Sequence, residues 1–164
     1  MTQIATPLRI ARVTLSDRAA AGVYSDLSGP EIERVLREHL GAGHTILARL
    51  IPDDREGLSA LLRALCDAER CDLVVTTGGT GPAARDFTPE ATRAVLEREL
   101  PGFGEAMRAV SFPKVPTAIL SRATAGTRGR SLIVNLPGKP SAIGECLPPL
   151  VPAIRECLRH LRGE

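Results

Sequence analysis

The sequence predicts an α/β fold in which a mostly parallel sheet carries helices on both faces. Three observations predict it. Short apolar runs rich in β-branched residues alternate along the chain with stretches of helical apolar spacing. The run Leu73-Val74-Val75 shows no polar alternation, as expected of a strand covered on both faces. Most of the apolar runs also end in a small polar or glycine-containing cluster before a helix, and ligands of parallel sheets bind beyond such strand ends.

Taken in order, residues 8–15 form the first strand, followed by the polar cluster Ser16-Asp17-Arg18 and a loop through Gly22, Tyr24 and Asp26. Ser28 is a candidate N-cap for a helix from about Pro30 to Gly41, with Ile32, Val35, Leu36 and Leu40 on one stripe. Residues 45–51 are the second strand, stopped by Pro52-Asp53-Asp54. A helix over residues 54–69 buries Leu58, Leu61, Leu62 and Leu65. Asp53 and Glu56 have the spacing of a capping box, which is a sufficient structural reason for Asp53 by itself.

The central stretch, residues 71–92, reads CDLVVTTGGTGPAARDFTPEAT. Its strand opens into Thr76, Thr77, Gly78, Gly79, Thr80, Gly81 and Pro82, where glycines allow positive φ and hydroxyls can donate to oxyanions. Thr88 is a candidate N-cap with Pro89 at the first helical position, and helical spacing continues to Leu100. The loop is neither a Walker A sequence nor the dinucleotide fingerprint. Anion binding and a tight structural turn both fit it locally.

Pro101-Gly102 then break the chain before a short helix over residues 103–110. Residues 117–123 and 131–136 read as two further strands separated by a turn around Gly126 and Gly129. The second ends in Asn135, Leu136, Pro137, Gly138, Lys139, Pro140 and Ser141, and Pro148, Pro149 and Pro152 are expected to divide the final helical region.

Composition excludes several classes. The 164 residues suit one domain spanning 1–164, and with 43% hydrophobic but only 2% aromatic residues its core must be aliphatic. With 21 basic and 19 acidic residues the net charge is +2, and there is no tryptophan, so neither a broad positive field nor stacking platforms mark a nucleic-acid binder. No apolar run approaches the roughly eighteen residues of a membrane span, and residues 1–7 lack the regions of a signal peptide, which predicts a cytosolic protein. Cys66, Cys71, Cys146 and Cys157 lack Cys-x-x-Cys spacing, and the three histidines lack ligand spacing. The thiols read as reduced and structural.

Taken together, SDR at 16–18, IPDD at 51–54, TTGGTGP at 76–82 with Arg85-Asp86, PGFGEAMR at 101–108, AILSR at 118–122 and NLPGKPSA at 135–142 resemble the molybdopterin adenylyltransferase family, the MogA/MoaB type of molybdenum-cofactor protein. The resemblance covers nearly the whole chain. TTGGTGP is shared with the molybdenum-insertion proteins and gephyrin, whereas PGFGEAMR and AILSR look more like the adenylyltransferase branch.

This resemblance implies a three-layer α/β/α sandwich, commonly a homotrimer, that transfers AMP from Mg-ATP to the terminal phosphate of molybdopterin and passes the product to a molybdenum-insertion enzyme. It implies that Asp53 and Asp86 serve catalysis and hold Mg2+. Ser16, Asp17, Arg18, Thr77, Gly78, Gly79, Thr80, Gly81, Arg85, Asn135, Pro137, Gly138, Lys139 and Ser141 would bind molybdopterin or nucleotide. Ala84 stands where some members carry a second basic residue. The chemistry accords with the lack of a catalytic histidine or cysteine, because a phosphate monoester is already anionic at neutral pH. A protein that binds molybdopterin without turnover is the alternative. Asp17 also suits an Asx-turn, and Arg18, Arg85 and Lys139 also suit solvated surface positions.

Overall fold

The computed structural model describes residues 6–164; the reading of residues 1–7 therefore falls mostly outside the described residues. The elements are β1 (Arg9–Leu15), α1 (Asp17–Ala20), α2 (Ser28–Leu40), β2 (Thr45–Ile51), α3 (Arg55–Arg63), β3 (Leu73–Thr77), α4 (Thr88–Arg93), β4 (Arg98–Glu99), α5 (Gly102–Ser111), β5 (Ala125–Arg128), β6 (Ser131–Leu136) and α6 (Pro140–Arg162). A π-helical turn over Ala64–Ala68 extends α3, and a 3-10 turn covers Pro116–Leu120.

One six-stranded sheet runs in the order β2-β1-β3-β6-β5-β4. β2, β1, β3 and β6 are parallel, whereas β5 and β4 are antiparallel additions at one edge. Period-two alternation sorts the strand residues between two layers. Ile10, Leu73, Val75, Leu132 and Val134 pack with α2, α5 and α6. Ala11, Val13, Val74 and Ile133 pack with α3 and the α4 region on the opposite face. The result is the three-layer α/β/α sandwich the sequence predicts.

From β1 the chain crosses to β2 on one side, then returns to place β3 on the other side of β1. Strand order therefore reverses between β1 and β3, the place where parallel sheets open a crevice at their carboxyl ends. Register sets that rim level: Thr14 lies opposite Leu50 and Thr77, and Thr77 opposite Leu136.

Four sequence expectations change. The predicted strand over 117–123 is instead the 3-10 turn Pro116–Leu120, whose residues are all unburied; Ile119 and Leu120 face solvent because β4, not this segment, pairs with β5. Gly126, read as a turn, lies within β5, where an added Cβ would collide with the Arg98 carbonyl oxygen. The helix expected to reach Leu100 ends at Arg93, because Glu97 and Leu100 donate their N–H groups to Thr127 and Ala125 of β5. Pro148, Pro149 and Pro152 do not divide α6. The helix runs unbroken for 23 residues, its Ile143, Leu147, Leu150, Ile154 and Leu158 face buried in the core, and tertiary packing outweighs the cost of the prolines.

Candidate active site

A cleft of about 390 Å³ opens at the β1–β3 switch point, lined by Ser16, Tyr24, Asp26, Asp53, Thr77, Gly78, Gly79, Asp86, Gly138 and Lys139 among others. A second cleft of about 460 Å³ adjoins it, lined by Thr80, Gly81, Arg108, Leu120, Pro137, Ser141 and Cys146 among others. Gly138 and Lys139 line both. The glycine loop after β3 is thus the ridge between two chambers.

The acidic residues are placed by the strand ends. Asp53 N–H donates to Asp17 Oδ1 at 2.8 Å, and Asp17 N–H donates to Asp53 Oδ2 at 3.1 Å. Asp53 does not cap α3. That task falls to its neighbour Asp54, which accepts from the Glu56 N–H at 3.2 Å, so the capping-box reading is corrected and Asp53 is left at the cleft. Asp86 Oδ2 accepts from the Ala83 N–H at 3.0 Å, closing the loop. Burial pushes the Asp53 carboxyl above the ordinary aspartate range, and the charge of Asp86 pushes it further. The Asp53 carboxyl therefore feels the charge of Asp86 across one cleft.

The loop itself is demanded by packing as well as by any ligand. Gly78 and Gly79 both have positive φ; a Cβ on the first would meet the Leu15 carbonyl oxygen at 2.6 Å and one on the second would collide with Thr88 Oγ1. Thr88 does not cap its helix either, since its hydroxyl donates to the Gly78 carbonyl at 2.8 Å. The hydroxyls read as oxyanion donors are largely engaged inside the fold. Thr77 Oγ1 donates to the Pro137 carbonyl at 2.7 Å, and Thr76 Oγ1 accepts from Asn135 Nδ2 at 3.0 Å.

Asn135 is fully buried, bridging Thr76 and Thr92, and lines neither cleft. Asp17, Arg18 and Arg85 border the site without lining a cleft. Arg85 pairs with Asp17 Oδ2, and the Arg18 guanidinium sits 5.3 Å from the centre of the Tyr24 ring.

Sequence reasoning missed four supports. Asp26, not Ser28, serves the start of α2: Oδ1 accepts from the Ser28 and Gly29 N–H groups, and Oδ2 accepts from Thr14 Oγ1 at 2.8 Å. Ser28 Oγ instead donates to the Gly138 carbonyl at 2.6 Å, tying this wall to the loop after β6. Arg122 donates from Nε to the Gly81 carbonyl at 2.9 Å, from a terminal nitrogen to the Asp86 carbonyl, and to Glu90. Arg108 in turn donates to the carbonyls of Ser121 and Ala123. The PGFGEAMR arginine thereby holds the segment whose arginine holds the glycine loop. No local signal reveals this, because Arg122's partners lie 32–41 positions away.

Residues 11–156 match the family MoCF_biosynth, described as "Probable molybdopterin binding domain". The molybdopterin adenylyltransferase of Helicobacter pylori strain J99 is 52% identical over 156 residues, covering 95% of this chain and 89% of the relative. That of Escherichia coli K12 is 51% identical over 140 residues, covering 85% and 72% respectively. Among solved structures, the molybdopterin biosynthesis enzyme MoaB of Thermus thermophilus superposes with a TM-score of 0.87 at 41% identity, covering 96% of this chain and 98% of that one. On the family match over most of its length and on relatives more than half identical to it, the chain belongs to the molybdopterin adenylyltransferase family of molybdenum-cofactor biosynthesis.

Proposed function

We propose that this chain transfers AMP from Mg-ATP to the terminal phosphate of molybdopterin, releasing pyrophosphate. The observation that carries the reading is the meeting of Asp53 and Asp86 at a cleft walled by the glycine loop, with a second cleft on the other side of that loop. One chamber for each substrate would bring a phosphate monoester up to the α-phosphorus of the nucleotide across a shared edge. An oxygen of the monoester forms the new bond to that phosphorus as the bond to the bridging oxygen of pyrophosphate breaks. The nucleophile is already anionic, so the protein's task is alignment and charge compensation. Lys139, exposed and common to both chambers, is placed to meet phosphate charge.

The residues present fit Mg2+. Asp53 and Asp86 each engage a backbone N–H through Oδ2, which leaves Oδ1 to face a cation. Two carboxylates joined by substrate phosphate oxygens and water are the donor set that magnesium prefers, and the bound ion would stabilise charge on the phosphates. Asp17 holds Asp53 in place, and Arg122 holds the carbonyls on either side of the Asp86 turn.

The span 1–164 would act as one unit, in the cytoplasm, as a homotrimer that hands its product to a molybdenum-insertion enzyme. Among the described residues no helix is long and apolar enough to cross a membrane. Phe112 and Ile119, outside both chambers, are each roughly half or more exposed, which suits a surface covered by another copy. Incubation with molybdopterin, ATP and Mg2+ is expected to release pyrophosphate in step with adenylyl-molybdopterin; tight molybdopterin binding with no pyrophosphate would instead favour a binding protein without turnover.

A further inference from the structure

Tyr24 is the sole tyrosine of a chain without tryptophan, and it is 49% exposed. It lines the cleft that holds Asp53, Asp86, Gly78 and Gly79, and among the described residues no other aromatic side chain lines either chamber. An exposed ring in so aliphatic a protein calls for a reason, and the backbone on either side of it is tied down. Val23 N–H donates to the Arg18 carbonyl at 2.8 Å on one side of it, and on the other Asp26 is tied to Thr14 and to the start of α2. The phenol oxygen lies 2.7 Å from Ser16 Oγ, which also accepts from the Ala19 N–H. The Arg18 guanidinium sits over the ring at 5.3 Å from its centre.

We propose that the Tyr24 ring, backed by Arg18 and held by Ser16, is a stacking platform for the planar nitrogen heterocycle of a substrate bound in this cleft. A ring held in one orientation before the ligand arrives has little freedom left to lose, so it contributes affinity at low entropic cost. A stacked ring recognises an aromatic face without reading its edge, which suits either an adenine or a pterin. In this arrangement Arg18 is a positioning residue, acting through Tyr24.

The inference rests on the adenylyltransferase reading, and its test keeps the two separate. Pyrophosphate release by the wild-type protein decides the reading. For the platform, tyrosine emission comes from Tyr24 alone, so titrations with ATP and with molybdopterin, corrected for ligand absorbance, report on this ring directly. We expect a saturable change with one of the two ligands, which identifies the heterocycle in this cleft. The Tyr24→Leu variant should bind that ligand roughly tenfold more weakly, with the loss carried by KM, while the other ligand binds as before. Tyr24→Phe, which keeps the ring but loses the bond to Ser16, should stay within about twofold of wild type. If Tyr24 served only to hold Ser16, Phe would be as damaging as Leu, and that result overturns the proposal. So does a Leu variant with native affinity for both ligands, or unchanged wild-type emission at saturation with both. Direct calorimetric binding applies even if no turnover is found.

Discussion

Asp17 and Asp53 are locked to each other by reciprocal hydrogen bonds, each backbone N–H donating to the other's carboxylate. The pair joins the ends of β1 and β2 and leaves the capping of α3 to Asp54. Asp53 thus has no role at its own helix that would explain its presence. In Asp53→Asn the amide oxygen can still accept from Asp17, and the loss of a partly buried charge relieves an unfavourable burial. The variant should therefore melt at or above the wild-type temperature, while turnover falls roughly a hundredfold or more. Calorimetry together with pyrophosphate assay checks both halves; near-native turnover would falsify the metal-holding role.

The second prediction concerns the titration of Asp53. Its pKa is raised by burial first and by Asp86 second, so ionisation of Asp53 disfavours the folded state, and its contribution to stability is lost as pH rises through the folded pKa. In Asp86→Asn only the second cause disappears. The Asp53 carboxyl should then titrate lower than in wild type yet still above the ordinary aspartate value of 3.8, as followed by carboxyl-carbon NMR on the metal-free protein. A titration that does not move would mean that the two carboxylates do not share the cleft.

Arg122 bridges Gly81, Asp86 and Glu90; burial opposes ionisation of Glu90, but the Arg122 guanidinium together with the residue's own backbone N–H and the charge of Arg93 holds that carboxyl below its usual range. Arg122→Met should cost about 2 kcal/mol, seen as a melting temperature lower by roughly 4–8 °C. Amide exchange should rise across residues 81–86 more than in β3. Lysine should not restore the loop, since a single ammonium lacks the fork that reaches three groups.

The thiols should be slow to react. Burial pushes all four upward, and Cys71 reaches about 11 even though Arg9 opposes the shift. At neutral pH a disulfide reagent should modify the folded protein far more slowly than the urea-unfolded chain. Replacing all four with Ala should lower stability by about 1 kcal/mol for each buried thiol, with turnover of the folded fraction retained.

Exposed Phe112 and Ile119 supply a test of assembly. Light scattering at micromolar concentration should return a trimer for the wild-type protein, and a Phe112→Asp/Ile119→Asp double variant should return a lower mass with unchanged helical circular dichroism. A wild-type monomer would remove the trimer from the reading.

The parallel core was legible because its signals are local. Leu73-Val74-Val75 carries the signature of a strand buried on both faces and is one, and residues 45–51 are the strand β2 that their apolar run predicts. The gathering of Ser16, Asp53, the glycine loop and Gly138 at one rim follows from alternation of strands and helices, which puts every parallel strand's carboxyl end on the same side. What tertiary structure decided was the fate of groups whose partners lie far along the chain. The hydroxyl of Thr77, a free donor when read locally, is taken by the carbonyl of Pro137, and that of Thr88, locally a candidate N-cap, donates to the carbonyl of Gly78. Asn135 is drawn inward to Thr76 and Thr92. Gly126 serves a close strand contact instead of a turn, and α6 keeps three prolines because its buried face outweighs their cost. In each case the sequence presents a hydrogen-bonding group or a backbone preference, and the choice between solvent, ligand and protein partner belongs to packing across distant segments.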